Sequence, residues 1–334
     1  MRFYTEKEAA SLMNQWGKER QPFLFIVDYD IKRIFVERLE QITPDVLLYD
    51  FNGLTNVDGR NVEQEHPFHA PSCMLEIHPT DKEEYRKSFE IVRNHILAGN
   101  SYLTNLTCAT PIEMQTSLVD LFYLTEAKYR LCVPGQFMVF SPEIFVRIQD
   151  GFICSYPMKG TISASVPNAR EVIMADVKES AEHATIVDLI RNDLSQISIH
   201  VSVPHYRYID EIHTQTGEIL LQVSSEVKGQ LSEGWQQSLG DILFSLLPAG
   251  SITGAPKRKT VQIIHEAETY QRGFYTGVMG VFNGETLDSA VMIRFIEQTK
   301  NGFFFKSGGG ITAKSECAKE YEEINQKIYI PLKQ

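Results

Sequence analysis

Residues 276–283, 287–296 and 302–307 read as three strands in succession, with only short turns between them. Strands that follow one another this closely pair antiparallel, because a parallel pair needs a crossover of a dozen or more residues. The same clustering recurs at Phe23–Asp30 and Arg33–Leu39, with a turn near Asp30-Ile31, and again over 199–212 and 219–229. Strands gathered as meanders, rather than alternating singly with helices, predict an α+β chain of antiparallel sheets with helices packed outside them.

The helical stretches carry their own start and stop signals. Thr5-Glu6-Lys7-Glu8 and Thr80-Asp81-Lys82-Glu83 read as capping boxes. After the second, Tyr85, Phe89, Val92 and Ile96 recur at helical spacing and the pattern stops at Gly99. Residues 176–195 predict an amphipathic helix with Ile186, Val187, Leu189, Ile190 and Leu194 on its apolar side. Further helices are expected near 118–130, at 235–247 and 256–267, and from about 315 to 328. Val46–Phe51 reads as a strand ended by Asn52-Gly53, residues 52–72 as a surface loop, and 101–155 as strand-like but interrupted at Pro111, Pro134-Gly135 and Pro142. No repeat or linker-like stretch divides the 334 residues.

Charge narrows the function classes. The balance is 32 − 43 = −11, so no excess of Lys and Arg exists to displace counterions from nucleic-acid phosphates. An anionic small ligand is still compatible, because it responds to the local field of its pocket. The five cysteines include no Cys-x-x-Cys pair, which argues against a zinc site or a disulfide framework and for free thiols in a reducing cytoplasm. The first twenty residues hold no apolar core of a secretory signal, and no run of about 18 apolar residues predicts a membrane span.

Glu179 and Glu182 share one helix face, as do Glu320 and Glu323 on the last helix. Such faces are either solvated or, if they converge, a set of hard oxygen donors suited to Mg²⁺. Ser307-Gly308-Gly309-Gly310-Ile311 is either a flexible turn or a backbone cradle for an anion. Lys159, within Pro157-Met158-Lys159-Gly160-Thr161, is either an exposed turn cation or a nucleophile whose pKa is lowered by burial. Neither Gly-x-Cys-x-Gly nor Gly-x-Ser-x-Gly occurs, so the chain shows no sign of making its own ammonia from glutamine or of serine hydrolase chemistry.

From Ser141-Pro142-Glu143 onward the chain resembles the chorismate-utilising enzymes. The likeness is carried by PMKGT at 157–161, KESAEHATIVDLIRNDL at 178–194, GSITGAPK at 250–257, RGFYTGVMG at 272–280, IRF at 293–295, SGGGIT at 307–312 and EYEEINQK at 320–327. It implies one catalytic domain over 1–334, with a core from about 80 to 330 and a shortened N-terminal subregion, 1–75. The implied fold is two large antiparallel sheets packed together and flanked by helices, with the active site between them. Within the family, anthranilate synthases usually carry Pro-Ile-Ala-Gly-Thr where this chain has PMKGT, and aminodeoxychorismate synthases carry Pro-Ile-Lys-Gly-Thr. The strand where isochorismate and salicylate synthases keep a basic lysine reads Tyr102-Leu103-Thr104-Asn105-Leu106-Thr107. The resemblance therefore points to aminodeoxychorismate synthase component I, which aminates chorismate at C4 on the folate route. The alternatives are anthranilate synthase component I and a silent scaffold for an amidotransferase subunit.

Residue by residue, the resemblance implies a Mg²⁺ site at Glu179, Glu182, Glu320 and Glu323. It implies that Tyr275, Arg294, Lys327 and the amides of Gly309 and Gly310 hold the carboxylates of chorismate, with Thr161 and Ser251 close to the ring. Glu143 falls on the position of the general acid and Lys159 on that of the covalent nucleophile. Gln222 stands where relatives often have His, and cannot act as an acid or base. Ammonia is expected from a separate glutamine amidotransferase subunit.

Overall fold

The computed structural model describes residues 1–57, 75–213 and 218–333. Most of the expected 52–72 loop, and Cys73, lie outside the described residues. In chain order the strands are β1 (Phe23–Val27), β2 (Ile34–Arg38), β3 (Leu48–Phe51), β4 (Leu54–Thr55), β5 (Glu76–Ile77), β6 (Leu103–Glu113), β7 (Tyr129–Val133), β8 (Phe137–Ser141) and β9 (Ile144–Gln149). They continue as β10 (Phe152–Ser155), β11 (Met158–Ser163), β12 (Ile199–His213), β13 (Ile219–Gln230), β14 (Gly254–Ala255), β15 (Val278–Phe282), β16 (Leu287–Val291), β17 (Phe295–Thr299) and β18 (Gly302–Ile311).

These strands form two nine-stranded sheets, and every pairing between them is antiparallel, as the meander pattern predicts. The first runs β11-β13-β10-β9-β16-β15-β1-β2, with β12 also on β13; the second runs β14-β6-β18-β17-β8-β7-β3-β4, with β5 also on β6. Strand β1 shows why the layers stack. Phe23, Phe25 and Val27 join a core cluster with the helix Glu6–Lys18, while Leu24 and Ile26 join a second cluster with Leu131, Val139 and Phe295 of the other sheet. Alternate side chains point to opposite faces, so a strand apolar at every position is covered on both. The first 57 residues contribute strands to both sheets.

The β1–β2 turn falls where the sequence places it. Asp28 accepts from the Lys32 and Arg33 amides at 2.7 and 2.9 Å, and Ile31 takes a left-handed φ of 59°. The Thr5 capping box forms as expected. The second differs: the helix Lys82–Leu97 is capped by Asp81, whose carboxylate accepts from the Glu83 and Glu84 amides, and Thr80 lies outside it. Its buried residues are Tyr85, Phe89, Val92 and Ile96, the four picked out by spacing. The helix expected near 118–130 ends at Leu124, because Tyr129 opens β7. No described helix is long and apolar enough to cross a membrane.

One strand reading is corrected, and one of the two readings of the glycines falls. Residues 287–296 are not one strand. β16 belongs to the first sheet and β17 to the second, and the chain crosses between them at Met292–Arg294, with Arg294 at φ 52°. The three glycines are not a turn either: β18 runs through them, pairing Gly309 with Leu106 and Gly310 with Asn105. A glycine run is read as a turn from its freedom alone.

Candidate active site

Three features of the backbone bring the selected residues together. First, β10 and β11 pair in series along β13, and a bulge between Lys159 and Thr161 is accommodated by Gly160 at φ 76°. A bulge bends its strand and re-aims neighbouring side chains. A Cβ at Gly160 would sit 3.5 Å from Glu179 Oε2, so the strand passes close to the adjacent helix. Second, the helix Val177–Ser195 buries Ile186, Val187, Ile190 and Leu194, and that stripe continues one turn earlier into Glu182 and His183. A buried carboxylate on an apolar stripe is the informative exception. Third, the last helix, Cys317–Gln326, buries Glu320 together with Ile324.

The result is a cavity of about 870 Å³ lined by every site residue selected from the sequence: Glu143, Lys159, Thr161, Glu179, Glu182, Gln222, Ser251, Tyr275, Arg294, Gly309, Gly310, Glu320, Glu323 and Lys327. Sequence reasoning missed Asn105, Lys178 and Tyr329, which also line it. Lys178 had a signal, since it lies four residues before Glu182 on the same helix. Tyr329 had none, because its place beneath the Arg294 guanidinium, 5.2 Å away, is a tertiary contact.

Lysines neutralise much of the carboxylate cluster. Lys159 Nζ lies 3.1 Å from Glu182 Oε2, Lys178 Nζ 3.0 Å from Glu320 Oε1 and 3.7 Å from Glu182 Oε1, and Lys327 Nζ 2.7 Å from Glu323 Oε1. Lys327 also donates to the Gly308 carbonyl at 2.9 Å. A Cβ on Gly310 would crowd these groups, whereas one on Gly309 would meet them at ordinary contact distance. One at Gly310 would stand 3.2 Å from Lys159 Nζ, and one at Gly309 would stand 3.7 Å from Glu320 Oε2.

Burial lowers the pKa of Lys159, but Glu182 and Glu179 outweigh it and raise the net value. The lowering expected from burial is therefore corrected: the carboxylates around this ammonium outweigh it. Burial lifts Glu143 above the usual carboxylate range, against the opposing effects of the Ser251 hydroxyl, which donates to it, and of Lys159, Arg294 and Lys327. That direction matches the protonated acid expected from the sequence. Burial also raises Glu179. Lys327 is lowered by burial and by the nearby Lys159 and Arg294 charges, with Glu323 opposing.

The donor set suits a hard cation. Four carboxylates border one cavity, and Glu182 Oε1 is buried with no hydrogen-bond partner. Among the described residues, however, the group of three metal-type ligands within 4.8 Å of one another is elsewhere: Glu76, His78 and Glu113, all exposed on the β5–β6 edge. The cavity carboxylates stand wider than that, with ammonium groups between them.

Two antiparallel sheets stacked between helices are the architecture of the chorismate-utilising enzymes. The menaquinone-specific isochorismate synthase of Escherichia coli matches with a TM-score of 0.72 over 98% of this chain and 82% of that one, at 18% identity. The chain belongs to the chorismate-binding enzyme family, whose match runs over residues 2–333. A PabA-like protein of Haemophilus influenzae is 47% identical over 96% of this chain and 95% of its own length. Anthranilate synthase component 1 of Pseudomonas aeruginosa is 30% identical over 74% of this chain and 52% of its own. Aminodeoxychorismate synthase component 1 of Bacillus subtilis is 30% identical over 75% and 55%. The chain thus spans about half the length of these two named synthases.

Proposed function

We propose that this chain aminates chorismate at C4 with ammonia, giving 4-amino-4-deoxychorismate. The observation that carries this reading is Lys159. Its ammonium projects into the cavity from a bulged strand and shares that cavity with a carboxyl group held toward its protonated form. The chemistry needs a protonated acid and a neutral amine; Glu143 is held in the direction its role requires, while Glu182 and Glu179 hold Lys159 protonated until their charge is offset. Once neutral, Lys159 Nζ attacks C2, the ring double bonds shift, and the C4 hydroxyl leaves as water with a proton from Glu143. Ammonia then adds at C4 and expels the lysine. The balance is chorismate plus ammonia giving aminodeoxychorismate plus water.

Arg294 suits a bidentate grip on one substrate carboxylate. Lys327 and the Gly309 and Gly310 backbone border the same space, as does Tyr275, three residues before β15. Glu179, Glu182, Glu320 and Glu323 would hold Mg²⁺, which supplies positive charge for a ring carboxylate. Ammonia would come from a separate glutamine amidotransferase subunit.

Amination at C2, the anthranilate reaction, is the second reading; 30% identity to each named synthase does not separate the two. Chromatography of the products from chorismate, Mg²⁺ and ammonium salt decides between them. Aminodeoxychorismate, converted to 4-aminobenzoate by an added lyase, is the expected product. Anthranilate as the main product overturns the reading.

A further inference from the structure

Ser251 donates to Glu143 from a short 3-10 turn, Gly250–Ile252. Beside the Thr253 hydroxyl, which donates to the Ala249 carbonyl at 2.8 Å, the turn is held by a buried arginine outside the cavity. Arg272 is 3% exposed, and all five of its N–H donors are used. Nε donates to Glu268 Oε2 at 2.9 Å and one Nη2 hydrogen to Glu268 Oε1 at 2.7 Å, a bidentate pair. The remaining Nη2 hydrogen goes to the Asn105 carbonyl at 2.6 Å. Nη1 donates to the Ile252 carbonyl at 2.9 Å and to Thr276 Oγ1 at 3.3 Å.

Two of these acceptors, Asn105 and Ile252, line the cavity, and a third, Thr276, adjoins the lining residue Tyr275. Asn105 is on β6 of the second sheet, Ile252 ends the turn that carries Ser251, and Thr276 follows Tyr275. Glu268 is itself pinned, accepting from the Thr107 amide and hydroxyl at 2.9 and 2.7 Å. Thr276 is a β-branched residue at φ 60°, a conformation that persists only where its surroundings over-determine it. Its hydroxyl also donates to the Tyr275 carbonyl at 2.6 Å. One planar group therefore ties β6, the Ser251 turn and the Tyr275-Thr276 segment together. A lysine ammonium, with three donors and no fork, cannot do so.

We propose that Arg272, clamped by Glu268, is a positioning residue that sets Ser251 against Glu143 and so governs proton delivery in the cavity. It touches neither substrate nor reacting atoms. This inference rests on the functional reading above for its kinetic arm only.

The test is a double-mutant cycle of Arg272→Lys and Ser251→Ala, with kcat and KM for chorismate measured on each variant and folding checked by thermal melting. Arg272→Lys is expected to lower kcat by about 10- to 100-fold, the scale of a misplaced catalytic group, with KM little changed. In the Ser251→Ala background the same substitution is expected to cost about twofold or less, because its target is gone. Losses that multiply, or a wild-type kcat in Arg272→Lys, overturn the proposal. If Arg272→Lys does not fold, Glu268→Gln takes its place in the cycle. Hydrogen exchange gives a reading independent of turnover. The Gly250–Gly254 amides are expected to exchange faster in the variant while those of β1 and β15 do not. Unchanged exchange there also overturns the proposal, even if the wild-type chain proves inactive on chorismate and the functional reading falls.

Discussion

Lys159 Nζ lies 3.1 Å from Glu182 Oε2, and this contact ties a bulged strand of the first sheet to the buried stripe of a long helix. It sets two demands against each other. The ion pair keeps Lys159 protonated, while attack on a substrate requires the neutral amine. A cation on the carboxylates would relieve that conflict by weakening their hold on the proton.

Lys159→Ala removes both functions. Intact-protein mass spectrometry with chorismate and Mg²⁺ but no ammonia is expected to show an increment of chorismate minus water on the wild type, localised to the peptide containing Lys159, and none on the variant. The variant is also expected to be destabilised by about 1–3 kcal/mol, because Glu182 is only 5% exposed and keeps Lys178 as a weaker neighbour at 3.7 Å. Near-normal aminodeoxychorismate formation by the variant removes the lysine from the reaction.

Chelation is expected to abolish turnover and added Mg²⁺ to restore it. Glu323→Ala is expected to lose far more activity than Glu322→Ala, since Glu323 borders the cavity and Glu322 does not. Full activity in excess chelator rules out the metal site.

Glutamine alone is expected to be inert as a nitrogen donor, since no Gly-x-Cys-x-Gly elbow occurs in the sequence. Ammonium salt at alkaline pH is expected to work, and addition of an amidotransferase subunit is expected to confer glutamine use. Robust glutamine-dependent amination by the isolated chain contradicts this.

Glu143 gives the pH dependence. Its folded-state pKa is raised, chiefly by burial, so the folded chain holds this proton to higher pH than the unfolded chain does. The stability it contributes is present below the unfolded pKa and is lost as pH rises through the folded one. Glu143→Gln, which cannot ionise, is expected to flatten that decline in thermal melts and to reduce kcat by about 100-fold or more, the scale of a lost general acid. A variant whose melting-temperature profile against pH parallels the wild type shows that Glu143 titrates normally.

Local chemistry carried much of this molecule. Periodicity placed Tyr85, Phe89, Val92 and Ile96 on one buried face, and strand clustering gave the antiparallel sheets, because both depend on residues close together in sequence. Motif resemblance selected residues from distant segments that line one cavity. The tertiary structure decided what depends on packing between elements. It broke the strand read over 287–296 at Arg294, because β16 and β17 pair with different sheets. It drew Gly308–Gly310 into β18, because β6 supplied partners for a backbone that glycine leaves free. It also reversed the expected shift at Lys159. The sequence determined that a lysine would follow the first sheet's β10 strand, but only the fold could bring Glu182 and Glu179 to it from a helix that begins eighteen residues later. Electrostatic energy depends on distance in space, and that distance is set by the packing of helix on sheet.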